Sequence, residues 1–215
     1  MRPRTWSAAL LLSIGCAANA VAEDWQYWST WSAVHDISDR AQVSAMAEVY
    51  LRDSVSDDYV YDEYITYARR LGQGFGLLGQ AYFESAQSPN DGWSATRSAV
   101  VGPSYTKDIP HVCSVRLEDR VFYRINSPSG WDYHRPRLYL SRDVGQIKFT
   151  LSDEMRVDLG GERADGFYRN RIYAMASTKV SESLTLGLGY LRQSDKVNGV
   201  WESFNGVQSL VTATF

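Results

Sequence analysis

The chain has 215 residues, with 22 lysines and arginines against 25 acids and a formal charge of −3. A balance this mild, without clustered positive charge, argues against a nucleic-acid partner. The chain is rich in aromatic rings, with 14 Tyr, 7 Trp and 7 Phe, yet no window beyond residue 22 approaches the run of roughly 20 apolar residues that a membrane helix needs.

The first element reads as a leader. Arg2 and Arg4 precede an apolar stretch from Ala8 to Ile14 that is too short to span a bilayer, and Ala18-Asn19-Ala20 and Ala20-Val21-Ala22 offer small-residue cleavage sites. Residues 1–22 are predicted to be a cleaved secretory signal, and 23–215 a single domain. Loss of the two arginines takes the charge from −3 to −5. Ile14-Gly15-Cys16 partly matches a lipidation site, but Ser13 stands where that pattern wants a larger aliphatic residue. After cleavage only Cys113 remains, so no internal disulfide and no cysteine metal cage can form. No cofactor and no metal are expected.

Beyond the leader the chain alternates apolar and polar residues in segments near 24–35, 39–52, 58–71, 74–87, 93–106, 112–125, 131–144, 147–159, 166–180, 184–195 and 204–215. Such segments suit tilted strands of a transmembrane β-barrel. Short interruptions at 36–39, 72–73, 108–110, 145–146 and 181–183 alternate with longer or more polar ones at 53–57, 88–92, 126–130, 160–165 and 196–202. Outer-membrane barrels keep short turns in the periplasm and long loops outside, which orients the chain and places its last residue, Phe215, on the periplasmic side. Val207, Val211, Ala213 and Phe215 share one face of the final segment, and Gln208, Leu210, Thr212 and Thr214 the other. A closing aromatic on such a strand resembles the assembly signal of outer-membrane proteins, so Phe215 is predicted to engage the outer-membrane assembly machinery.

Eleven segments put the N-terminus outside, whereas single-chain bacterial barrels have even strand numbers. The expectation is therefore about twelve strands, if a stretch such as 24–52 or 195–215 hides a further one, or ten, if 24–35 is not a wall strand. A soluble lipocalin-like barrel would carry its apolar face inward and charge outward. Here rings such as Tyr59, Tyr61, Trp93, Tyr105 and Phe167 stand near the interruptions, where a membrane barrel places its headgroup girdles. The predicted fold is an all-β, antiparallel transmembrane β-barrel of the outer-membrane type, bordered by lipid and lipopolysaccharide.

The polar face is rich in arginine. In the sixth to ninth segments Arg116, Glu118, Arg120 and Arg124, then Arg135 and Arg137, then Lys148, Glu154 and Arg156, then Arg169 and Arg171 alternate with apolar residues. Charge on the lipid face at mid-membrane costs a few kcal/mol, roughly 2–4 for a basic residue, so these side chains are assigned to the lumen. Asp119 and Asp153 fall on the outward face and are read as bulges or strand ends.

Trp28 to Trp31, Arg116-x-Glu118-x-Arg120, Trp131-x-Tyr133-x-Arg135-x-Arg137, Asp153-Glu154, Phe167 to Tyr173 and Leu188 to Gln193 together resemble the family known as domain of unknown function 2490. The resemblance covers essentially the mature chain, is most specific in the Asn170-Arg171-Ile172-Tyr173 region, and implies a Gram-negative outer-membrane barrel without an agreed activity. It transfers no catalytic residue. A looser similarity, in wall chemistry only, is to small porins for acidic oligosaccharides.

Two functions fit the arginine face. One is a narrow porin-like channel favouring anionic small solutes, since guanidinium groups in a pore attract carboxylates and phosphates. The other is a structural barrel whose interior is plugged by side chains. Eight arginines and one lysine against Glu118 and Glu154 leave an excess of seven positive charges. That favours the channel, because unpaired buried charge is expensive. A lipid hydrolase is less favoured: His35, His111 and His134 lie near turns or beside Arg135-Pro136, with no serine in a His-x-Ser arrangement. Acids at Asp53, Asp57, Asp58 and Asp62, and at Asp158, Glu162 and Asp165, read as solvated loop charge without the spacing of a calcium site. Cys113 reads as a small filler near a turn.

Overall fold

A computed structural model describes residues 25–52, 58–88, 92–127, 130–161 and 166–215. The leader, the connections at 53–57 and 89–91 and the acids Asp53, Asp57, Glu162 and Asp165 lie outside them. The strands are β1 (Trp25–Ser38), β2 (Ala41–Arg52), β3 (Asp58–Gly72), β4 (Phe75–Ser88), β5 (Gly92–Ile109), β6 (Cys113–Arg124), β7 (Trp131–Val144), β8 (Ile147–Asp158), β9 (Phe167–Ser181), β10 (Leu184–Val197) and β11 (Val200–Thr214). Sequence neighbours pair antiparallel in turn, and β1 closes the barrel against β11. The expected all-β barrel therefore forms, with eleven strands among the described residues, a number between the ten and the twelve weighed above.

The closing pair is parallel, running from Trp25 opposite Asn205 to Val34 opposite Thr214. Parallel closure is what an odd count of up-and-down strands requires, so no strand has to be hidden or discarded. Side chains reinforce this seam on both faces. Gln208 Nε2 donates to Thr30 Oγ1 (3.0 Å) in the lumen, Ser32 and Thr212 hydroxyls meet at 2.7 Å, and Tyr27 meets Ser209 at 2.8 Å on the outer face. Phe215 is tied to the same seam: its N–H donates to Val34 O (3.1 Å), its carbonyl lies 2.7 Å from His35 Nδ1, and the two rings stack at 6.0 Å.

One predicted loop is instead a tight turn. Residues 196–202 were expected to form a longer connection, but Val197 pairs with Val200 and only Asn198 and Gly199 intervene. Their φ values of 51° and 82° lie in the left-handed region that two-residue hairpin turns of the primed types demand and that Asn-Gly supplies. The hydrophobic alternation of β10 and β11 thus runs further toward this end than the polar residues suggested.

Apolar side chains point out around the ring, among them Ile65, Leu77, Phe83, Val101, Leu117, Leu140, Phe149, Leu151, Ile172 and Leu188. Outward rings pair near both ends of the strands: Tyr61 with Trp93, Tyr123 with Trp131 and Phe167 with Trp201 at one, Phe75 with Tyr105 at the other. Asp119 and Asp153 are outward as expected, but neither stands at a bulge or strand end. Asp119 meets His134 Nδ1 at 3.3 Å and Asp153 accepts from Asn170 Nδ2 at 2.6 Å. Asp119 also lies beside a gap in the β5–β6 ladder, which pairs Val101 with Val121 and Ser104 with Glu118 but skips the residues between.

Gly102 fills that gap by close approach. A Cβ there would fall 2.2 Å from Asp119 O, a backbone atom that cannot swing aside. Gly102→Ala is expected to destabilise the barrel by about 1–3 kcal/mol through overpacking, read as a lower urea midpoint in detergent micelles. An unchanged midpoint would mean that β5 and β6 separate freely at this point.

Candidate functional site: the lumen

The period of two carries Arg116, Glu118, Arg120, Phe122 and Arg124 of β6 to one face, and the register continues it onto β7, where Arg120 faces Arg135 and Glu118 faces Arg137. On β8 and β9, Glu154 faces Arg137 on one side and Arg171 on the other, and Arg156 faces Arg169. All eleven charged residues assigned to the lumen from the sequence therefore share the interior face, with Lys148 at its exposed end. A register shift between Val121 and Tyr123 has a consequence the alternation does not predict: both Asp132 and Tyr133 line the interior.

Glu154 is the centre of this wall. Its carboxylate has Arg137 Nη2 at 2.7 Å, Arg171 Nη1 at 3.5 Å, Arg135 Nε at 3.8 Å and Arg156 Nε at 3.9 Å. The approaches are ionic rather than directed, and neither oxygen accepts a well-aligned hydrogen bond. Four guanidiniums share one carboxylate and spread over rings: Arg135 lies over Phe122 (5.0 Å), Arg137 over Tyr173 (4.9 Å), Arg156 over Tyr133 (4.8 Å) and Arg171 over Trp28 (4.8 Å). Cation–π contact of this kind gains strength once water is excluded.

Those rings belong to two buried clusters on opposite sides of the interior. Tyr64, Tyr82, Val100, Phe122 and Tyr133 form one, and Trp28, Tyr50, Tyr173 and Leu191 the other. Glu154 and its arginines fill the space between. Glu154, Phe122 and Leu191 are each 0 % exposed, so the interior is packed across at mid-height.

The remaining arginines have partners of their own. Arg116 and Arg120 both bind Glu118, and Arg120 also donates to Gln80 Oε1 (3.3 Å). Arg124 forms a fork with Asp132 at 2.9 and 3.2 Å. Arg169 pairs with Asp195, to which Gln193 also donates. Bidentate pairs like these fix geometry as well as charge.

The expected excess of positive charge is overturned by acids on strands far from β6–β9. Asp62, read above as solvated loop charge, is a buried lumen residue of β3. Glu48 faces it from β2 and Glu84 from β4, which puts three carboxylates in a row at one height. Tyrosine hydroxyls bridge them: Tyr50 OH lies 2.8 Å from Glu48 and 2.7 Å from Asp62, and Tyr82 OH 2.9 Å from Asp62 and 2.6 Å from Glu84. With Asp132 and Asp195 these acids offset the arginines almost charge for charge. Glu84 was legible in the alternation of β4, whereas the adjacent Asp62-Glu63 pair conceals which of the two points inward.

Between the packed middle and the strand ends that border the longer connections lies a cavity of about 280 Å³, lined by residues including Asp62, Glu84, Arg124, Arg156, Arg171 and Phe204. Of the histidines, His35 stands at the seam, His111 in the β5–β6 turn with φ 63°, and His134 beside Asp119 on the outer face. Cys113 opens β6, half-buried and free.

No curated protein matches the chain. A family model described as "Protein of unknown function (DUF2490)" matches residues 25–204, which spans β1 through β10 and the first five residues of β11; the chain belongs to this family.

Proposed function

We propose that the protein is a Gram-negative outer-membrane barrel of narrow, porin-like build whose lumen is closed at mid-height by its own side chains. The observation that carries this reading is the complete burial of Glu154, Phe122 and Leu191, because a conducting path needs water continuous past that level. Charge balance supports it too. Once Glu48, Asp62, Glu84, Asp132 and Asp195 are counted, the arginines no longer call for mobile anions to neutralise them. Membrane insertion is supported by the outward apolar face and the ring pairs at both strand ends, and export by the leader-like residues 1–22.

The test is a planar bilayer. Refolded protein is expected to give no sustained single-channel steps, and a steady anion-selective current would restore the channel for anionic small solutes. In the orientation that puts Phe215 in the periplasm, Trp25 begins β1 at the outer end. Deleting Phe215 removes the last hydrogen bond and ring of the seam together with the residue proposed to engage the assembly machinery. The assembled, heat-modifiable form in outer-membrane fractions is expected to fall several-fold, and equal assembly would remove Phe215 from that role.

A further inference from the structure

The lumen is near neutrality in sum but not in distribution. On β2–β4, Glu48, Asp62 and Glu84 have only hydroxyl partners, and no lysine or arginine comes within ion-pair distance of them among the described residues. On β7–β9, four guanidiniums share the single Glu154. The acid row on β2–β4 thus faces the surplus of guanidinium groups on β7–β9 across the interior.

Two of the six buried side-chain atoms that lack a hydrogen-bond partner among the described residues belong to this wall of the cavity. Tyr133 OH and Arg156 Nε are buried and have no hydrogen-bond partner, and both residues line the cavity above the packed middle. Arg156 is 5 % exposed, approaches Glu154 at 3.9 Å and lies over the Tyr133 ring. Asp62 and Glu84 line the same cavity from the opposite wall. We propose that this cavity binds a small zwitterion, its ammonium against Asp62 and Glu84 and its carboxylate against Arg156 and Arg171.

A solute with one charge is drawn to one wall and repelled by the other, whereas a zwitterion aligned with the field gains at both. The low dielectric of a packed interior sharpens the difference. The volume, about 280 Å³, lies at the small end of ligand pockets, roughly 300–1,000 Å³, which limits the occupant to amino-acid or short-peptide size. Trp28, Tyr50 and Phe204 add an aromatic edge.

The inference deepens the closed-barrel reading by treating the space above the plug as a site. Calorimetric titration of the refolded full chain in micelles, corrected for micelles alone, compares glycine, β-alanine and 4-aminobutyrate with butyrate and butylamine. At least one zwitterion is expected to bind about tenfold or more tightly than either singly charged probe, and Glu84→Gln, nearly isosteric and outside the Glu154 cluster, to remove that preference. Butyrate binding as well as the zwitterions, an unaffected Glu84→Gln preference, or no heat from any probe would each overturn the proposal. Conductance on the same preparation keeps the two readings apart: a current sinks the plug and leaves the zwitterion preference to be judged on its own.

Discussion

Glu154→Gln is expected to be the most damaging conservative substitution in the barrel. Glutamine keeps the shape but removes the carboxylate that Arg135, Arg137, Arg156 and Arg171 share, all within 4 Å of it. Breaking a buried ion pair from one side costs about 3–5 kcal/mol, because the remaining charge stays desolvated without a counter-charge. Here four cations are left facing one another, so the upper part of that range applies. Reversible urea unfolding in micelles reads the effect as a lowered midpoint with the slope retained. Adding Arg137→Gln to Glu154→Gln removes one of the stranded cations and is expected to recover part of the loss. A double variant no better than the additive sum would mean that the two residues do not share an energy term. If Glu154→Gln alone left the midpoint unchanged, water would have to reach this cluster, and the plug would not be dry.

The arginine wall was legible because strand periodicity is local: eleven charged residues on β6–β9 occupy the face that the period of two assigned them. What they meet was not legible, because it depends on closure. Glu48, Asp62 and Glu84 come from strands that only the closed ring sets opposite β7–β9, and no spacing in the chain records that distance. Two local signals were obscured for physical reasons. Asp62-Glu63 presents an acid to each face, and the turn at Asn198-Gly199 is flanked by the polar residues Lys196 and Glu202, which gave it the look of a loop. The register shift that brings Asp132 inward beside Tyr133 has no residue signature in the alternation itself.

The odd strand count follows the same logic. Evenness is a regularity of bacterial barrels rather than a requirement of the backbone, since a parallel pair satisfies its amide groups as completely as an antiparallel one, with slightly weaker pairing. The β1–β11 seam adds side-chain bonds where the ladder is weaker, through Thr30–Gln208, Ser32–Thr212 and Ser29–Ser209. Phe215 belongs to that seam, so the residue that reads as an assembly label also closes the cylinder against Val34 and His35.

If side chains close the lumen, removing them should open it. Phe122 stacks on Tyr133 at 4.3 Å and carries Arg135 above its ring at 5.0 Å, so Phe122→Ala with Arg135→Ala deletes two interlocked side chains from the packed level in one step. A gap of roughly one water diameter admits water when polar groups line it, and Glu154, Arg137 and Arg171 line this one. The double variant is expected to conduct where the native barrel does not. Its current should favour anions, because Arg116, Arg120, Arg137, Arg156 and Arg171 remain on the wall. The Phe122 truncation alone costs about 3–5 kcal/mol of stability, so folding is checked by heat-modifiable migration before the bilayer is formed. A folded double variant that stays silent would place the closure elsewhere, most directly in the Trp28, Tyr50 and Tyr173 cluster on the opposite side. A folded double variant that conducts cations instead would mean that the Glu48, Asp62 and Glu84 row, rather than the arginines, controls what enters. The sign of the current therefore tests which of the two charged walls governs the lumen.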